Sequence, residues 1–176
     1  MKKTLLWALP ALMLCACSGN NQNTSASGNE AEPVAEEQAP SAEDVTATIT
    51  ERVSTIYAEA LANDDESVAL NKYGSANFVD TYAKYCKAIE GMMGSIECNI
   101  WSQAQDVSEP KVEVEEVNIE SDNKAIVTLS LTNFGEKKAI NLPVVLEEGE
   151  WKIDDIVAMG QSMKSVMLND IKAFAE

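Results

Sequence analysis

The amino-acid sequence predicts an α+β fold in which N-terminal helices pack against a curved antiparallel sheet, with a further helix at the C-terminal end. Two observations carry this. Apolar residues recur at three-to-four spacing between residues 45 and 90, then alternate singly between residues 112 and 153. Helical and extended periods are therefore segregated along the chain, not interleaved. Turn residues at 121–123, 133–135 and 148–149 also follow one another too closely for parallel crossovers, which favours a meander.

The first helix is expected over residues 44–63, with Val45, Ile49, Val53, Ile56, Ala60 and Leu61 on one face. Ser41 followed by Asp44 has the spacing of a capping box. Asn63-Asp64-Asp65 ends this helix and caps a short turn carrying Val68 and Leu70. Gly74 breaks the chain, and Ser75 caps a helix running to Glu90, whose predicted buried stripe is Phe78, Val79, Tyr82, Cys86 and Ile89. Gly91 and Gly94 close the helical half, and Trp101 is placed on a strand before a turn.

In the second half, Val112 and Val114 alternate with charge, and Val117 and Ile119 resume the alternation out of phase. One extra residue at Glu115-Glu116 accounts for the slip and predicts a bulge or bend. Ala125, Val127, Leu129 and Leu131 mark a second strand, and Ile140, Leu142, Val144 and Leu146 a third. Pro143 points to an edge or a bulge in the third. Trp151-Lys152-Ile153 reads as the last strand, and a helix from about Ser162 carries Met163, Val166, Met167, Ile171 and Phe174 on one face.

The N-terminus is an export signal. Lys2 and Lys3 precede a short apolar run, and small residues follow around a cysteine. The run is shorter than the ~20 apolar residues that a bilayer-spanning helix needs. Leu14-Cys15-Ala16-Cys17 resembles a lipobox, with Cys17 the acylated residue; the alternative is an ordinary signal peptide cut nearby. Resemblance to bacterial lipoproteins implies palmitate among the acyl chains on Cys17, and more than one chain suffices for stable attachment to a membrane. Ser18 is the residue seen in lipoproteins sent to the outer membrane of a Gram-negative cell, with periplasmic and surface faces both open. The chain thus divides into a signal peptide (1–16), a lipidated cysteine with a flexible acidic linker (17–43) and a single α+β domain (44–176). The linker is rich in Asn, Ser, Ala, Glu and Pro. Such a composition buries too little apolar surface to order itself.

Loss of Lys2 and Lys3 leaves 11 basic against 29 acidic residues, a formal charge of −18 on the mature chain. A surface of that sign repels nucleic acid and anionic headgroups, so neither is an expected partner. Cys86 and Cys98 are an even pair in an oxidising compartment and are expected to form a disulfide, closing a loop of about a dozen residues for about 3 kcal/mol.

Helices followed by a bent meander ending in Gly149-Glu150-Trp151-Lys152-Ile153-Asp154-Asp155 resemble the nuclear-transport-factor-2-like, or cystatin-like, cone fold. More narrowly, Trp101-Ser102-Gln103-Ala104-Gln105-Asp106, together with Trp151-Lys152-Ile153-Asp154-Asp155-Ile156, resembles an uncharacterised group of secreted bacterial proteins with an Ala-Gln-Asp triplet between helices and sheet. The resemblance spans residues 45–175 on two short motifs. It implies a pocket between sheet and helices, for which Tyr57, Tyr82, Trp101, Asp106 and Trp151 are the lining candidates, with Trp101 and Trp151 read in the first place as buried anchors of the sheet and only secondly as ligand-stacking platforms.

No histidine is present, which removes the usual general base and metal ligand; no metal site and no cofactor are expected. Phosphate loops, dinucleotide fingerprints and CxxC pairs are absent as well. In enzymes of the cone fold a pocket aspartate abstracts a proton beside a tyrosine or second acid. Asp106 is the candidate here, with Tyr57, Tyr82 or Tyr85 as donor, against a role capping a turn. Asp154 and Asp155 read as a solvated pair, since adjacent strand residues face opposite ways. The methionines at 92, 93, 159, 163 and 167 read as core filling or as the lining of an adaptable apolar pocket. The expected function is a membrane-anchored, non-enzymatic binding domain for a small apolar ligand, a peptide or a protein. The alternatives are a carboxylate-based proton-transfer enzyme using Asp106 and an inhibitor or immunity-type protein acting on an envelope enzyme.

Overall fold

The computed structural model describes residues 41–175. Cys17, the export signal and most of the linker lie outside the described residues. Among the described residues, four helices and six strands follow in the predicted order, with helices first, then antiparallel strands, then a helix. The fold is α+β.

Helix α1 (Ala42–Leu61) starts at the expected capping box. The Asp44 amide donates to Ser41 Oγ at 3.2 Å and the Ser41 amide to Asp44 Oδ2 at 3.3 Å, so each satisfies a donor that the first turn leaves open. Its buried face is Ile49, Val53, Ile56, Ala60 and, in addition, Tyr57. Helix α2 (Glu66–Tyr73) is capped by Asp65 and turns Leu70 inward and Val68 outward. Helix α3 (Ala76–Ala88) is capped by Ser75 as expected, but its stripe is rotated. Phe78, Thr81 and Tyr85 are the buried positions, Val79, Tyr82 and Ile89 are half-buried, and Cys86 is exposed. Thr81 can occupy the inner face because its hydroxyl donates to the Asn77 carbonyl at 2.8 Å, which removes the cost of burying it.

The sheet begins with β1 (Lys111–Ser121), β2 (Lys124–Asn133) and β3 (Glu136–Glu147), each antiparallel to the next. The predicted slip in β1 is a register shift between Val114 and Glu116. It lets Val112, Val114, Val117 and Ile119 oppose Leu131, Leu129, Val127 and Ala125 in turn, so the inserted residue keeps all four valines and isoleucines on the inner face. The far side of β3 is paired first by β4 (Glu150–Ile153) and then by β5 (Val157–Ala158), and β6 (Gln161–Ser162) closes outside β5. Trp151-Lys152-Ile153 is therefore not the last strand; two short ones follow it. Between β4 and β5, Asp154, Asp155 and Ile156 oppose only Leu142 and Pro143. Pro143, which has no amide hydrogen to donate, sits where the ladder is interrupted. Helix α4 (Met163–Ala173), capped by Ser162, packs against α3.

One apolar cluster joins Ile49, Val53 and Ile56 of α1 to Val127, Leu129 and Leu131 of β2 and Ile140, Leu142 and Val144 of β3. Side chains of this size contribute ~1.5–3 kcal/mol each when fully withdrawn from water. Arg52 fastens α1 across the edge of the core, reaching Glu150 Oε2 at 2.9 Å and lying 5.2 Å above the Tyr73 ring. No helix among the described residues is long and apolar enough to cross a membrane.

Candidate functional site

Tyr57 and Trp101 meet inside the core, not on the wall of a pocket. Both are fully buried, and their rings pack edge to face with centroids 5.6 Å apart. Trp101 is not on a strand. Asn99 Oδ1 accepts the amides of Trp101 (2.9 Å) and Ser102 (3.0 Å), and the Gln103 amide reaches the Asn99 carbonyl at 2.9 Å. The Asn99 side chain thus folds Trp101-Ser102-Gln103 into a tight turn that drives the indole under α1 and α2, where Nε1 donates to the Glu66 carbonyl at 3.1 Å. Glu66 holds the same turn from its side chain, accepting the Ile100 amide at 2.8 Å through Oε2 and the Tyr82 hydroxyl at 3.0 Å through Oε1. Burial first, and the Glu66 carboxylate second, push the Tyr82 phenol up.

Among the described residues, the Tyr57 hydroxyl is the buried side-chain atom left without a hydrogen-bond partner, and burial pushes its phenol far up. An unpaired buried hydroxyl costs ~1–3 kcal/mol. Tyr57→Phe is therefore expected to raise the unfolding free energy by about 1 kcal/mol. Urea denaturation measures this, and a midpoint lower than wild type would show that the hydroxyl has a partner that matters.

Asp106 lies apart from these tyrosines. It is exposed and borders a groove of about 380 Å³ shared with Asn63, Asp64, Asn99, Ser102 and Gln105, with no tyrosine on its wall. The hydrogen bonds of this segment run through the backbone: the Asp106 carbonyl accepts Asn133 Nδ2 at 2.8 Å, and Asn133 Oδ1 accepts the Ser108 amide at 2.9 Å. The aspartate and the tyrosine hydroxyls that proton abstraction would need are not brought together. Trp151 is 7% exposed and packs in the core cluster.

Both cysteines are free thiols, so the expected disulfide is not formed. The rotation of α3 explains it, because the stripe through Phe78, Thr81 and Tyr85 leaves Cys86 on the solvent side while Cys98 is half-buried in the loop. Burial is the main cause that pushes the Cys98 thiol up. The methionines divide as well: Met163 and Met167 fill the core, whereas Met92, Met93 and Met159 are exposed.

The adjacent carboxylates Asp154 and Asp155 are not a solvated pair. Asp155 is buried and accepts the Ile156 amide (2.8 Å), the Ser162 hydroxyl (2.5 Å) and the Lys164 amide (3.0 Å). Asp154 accepts the Ser75 hydroxyl at 2.6 Å and the Lys164 ammonium at 2.9 Å. Burial opposes ionisation of Asp154, but Ser75 and Lys164 together outweigh it and hold the carboxyl below its ordinary range. Asp170, also buried, accepts both the amide (2.7 Å) and the hydroxyl (2.6 Å) of Ser95. Asp154 and Asp170 join elements distant in sequence, Asp155 ties the end of β4 to the start of α4, and no spacing rule marks any of the three.

Where the molecule offers apolar surface to a ligand is on its outside. A groove of about 420 Å³ runs between α1 and the start of β1, lined by Ser54, Ala58, Leu61 and Ala62 on one wall and Pro110 and Val112 on the other. The helix-side residues fall at i, i+4, i+7 and i+8 on one stripe, of which Ser54, Ala58 and Ala62 are exposed while Leu61 is half-buried and packs against the core as well. Sequence periodicity placed Leu61 with the core face of α1 and passed over the rest of this stripe, since serine and alanine carry no apolar signal strong enough to register.

No family model matches the chain, and no curated protein is significantly similar to it. Among solved structures, the phospholipid-binding protein of Ralstonia solanacearum, determined in complex with a phospholipid, is 13% identical, with a TM-score of 0.44 over 70% of this chain and 83% of that one.

Proposed function

We propose that this chain is a non-enzymatic binding domain, held in the bacterial cell envelope by an acylated Cys17, whose ligand is a protein or peptide. The observation that supports it best is the filled space between sheet and helices. Tyr57 and Trp101, which a pocket of the cone type would present to a small ligand, are 0% exposed and packed on each other, while accessible apolar surface lies outside, in the groove beside α1 and in exposed side chains such as Met92, Met93, Phe134 and Met159. Asp106 is exposed and has no tyrosine on the wall of its groove, so the base and the hydroxyl donor that a proton transfer needs are not together.

Two measurements test the two halves of the proposal. Cells fed labelled palmitate are expected to label the wild-type chain and not Cys17→Ser, which should leave the membrane fraction; a labelled Cys17→Ser chain removes the anchor assignment. Photo-crosslinking in living cells from benzoylphenylalanine at Ser54, Met93 or Phe134 is expected to give a discrete protein adduct from at least one site. A turnover by the purified protein that disappears in Asp106→Ala, with the fold intact, would replace the binding role with an enzymatic one.

A further inference from the structure

We infer that the outer edge of β1, together with the groove beside it, is a docking site for an extended basic peptide segment that adds a strand to the sheet. This rests on the proposed role in binding a protein or peptide and gives that role a place. Among the described residues, β1 is the terminal strand of the sheet and pairs with β2 alone. Among the described residues, no turn, loop or bridge supplies a backbone hydrogen bond to its other side. A row of unpaired amides and carbonyls is the template that strand addition uses.

Two features make this edge selective. The groove of about 420 Å³ flanks the first part of β1 and meets it at Pro110 and Val112, opposite Ala58 and Leu61. An apolar side chain of a strand paired with Lys111–Val114, pointing to the inner face, enters that groove. The small residues Ala58 and Ala62 leave room for it. Beyond the bulge, the charge decides the partner. Glu113, Glu115, Glu116 and Glu120 are exposed along β1. Lys137 engages the first two, at 3.8 and 2.8 Å, whereas Glu116 and Glu120 form no ion pair among the described residues. A lysine or arginine on the added strand completes them. Pairing of two copies edge to edge would set glutamate against glutamate, which like-charge repulsion across a strand pair disfavours. The formal charge of −16 on the whole sequence draws basic chains in and turns acidic ones away.

The bulge between Val114 and Glu116 divides the edge into two runs, so an added strand pairs along one run at a time and contacts the other through side chains. Binding is accordingly expected to be short-lived and sensitive to salt.

The test uses the full chain and a capped decapeptide of alternating valine and lysine. Hydrogen exchange followed by mass spectrometry is expected to show slowed amides in Lys111–Ser121 on saturation with the peptide. The same peptide N-methylated at alternate residues, which cannot pair its backbone, and a valine–glutamate analogue are expected to give no protection. The double variant E116K/E120K should weaken the valine–lysine peptide by about tenfold, the equivalent of two exposed charge contacts. Ala58→Arg, which fills the groove from an exposed position, should weaken it similarly with the circular dichroism spectrum unchanged. Absence of saturable binding, protection elsewhere than β1, equal binding of the N-methylated peptide, or concentration-dependent self-protection of β1 without peptide would each overturn the site. If the crosslinked partner of the living cell is kept by both variants, the edge assignment falls while the binding role stands; if no partner is captured at all, the role itself falls.

Discussion

Replacing Trp101 by alanine is expected to lower the unfolding free energy by about 4 kcal/mol, the largest loss from any single truncation in the domain. The indole is fully buried, packs on the edge of Tyr57 and donates to the Glu66 carbonyl. Its removal opens a cavity at the junction of α1, α2 and the loop before β1. A domain of this size has ~5–15 kcal/mol of stability in all, so the variant should remain folded but with a much lower urea midpoint and an unchanged slope. Trp101→Phe keeps most of the volume and loses the N–H, and should fall about 1–2 kcal/mol short of wild type. The sequence has three tryptophans, 7, 101 and 151, so with Trp7 also replaced by phenylalanine the fluorescence of the alanine variant reports Trp151 alone and follows its unfolding directly. A loss below 1 kcal/mol in Trp101→Ala would mean that the turn around Asn99 does not bring the indole into the core.

What the sequence disclosed about this fold divides along the range of the interaction. The capping box at Ser41 and Asp44, the inner face of α1 and the alternation of β1, β2 and β3 are set by residues within one turn or one strand, and each was legible. The slip at Glu115 was legible for the same reason: the valines on either side kept a common face only if one residue was extra. The strands β5 and β6, two residues each, are too short for alternation to register. The inner face of α3 was misjudged because Thr81 is polar by type and apolar in use, its hydroxyl being returned to the helix backbone. Cys86, read into the stripe by its spacing, consequently lost the position that a disulfide to Cys98 required.

The candidate site was less legible than the fold. The Trp101-to-Asp106 segment drew attention as a motif, yet its tryptophan is a core anchor and its aspartate a surface residue of a turn. Aromatic and acidic residues carry the same letters in both roles. What separates them here is the Asn99 side chain, whose two hydrogen bonds to the backbone decide which way each residue faces. The groove along α1 was invisible for a different reason: Leu61 and Val112 were read as core positions, the rest of its helix wall is alanine and serine, and its far wall is the edge of a strand whose partners only the topology reveals.

Asp155→Ala is expected to cost about 3 kcal/mol and to act on α4 before the rest of the domain. Its carboxylate collects three donors, from Ile156, Ser162 and Lys164, and hydrogen bonds to a charged acceptor contribute ~1.5–3 kcal/mol each, though not additively. Two of the three lie in the first turn of α4 or at its cap, so this carboxylate also meets the positive end of the helix dipole. At the other end Asp170 draws Ser95 onto the same helix, so α4 is fixed by one buried carboxylate near each terminus. Removing the first leaves the Lys164 amide and the Ser162 hydroxyl without that partner beside the core. Hydrogen exchange in Met163–Ala173 should then accelerate at denaturant concentrations where β2 and β3 are still protected, a local opening in advance of global unfolding. Asp155→Asn, whose single amide oxygen satisfies at most part of the set, should lie between wild type and alanine. If α4 and the sheet lose protection together in the alanine variant, the carboxylate supports the domain as a whole and has no special hold on the helix.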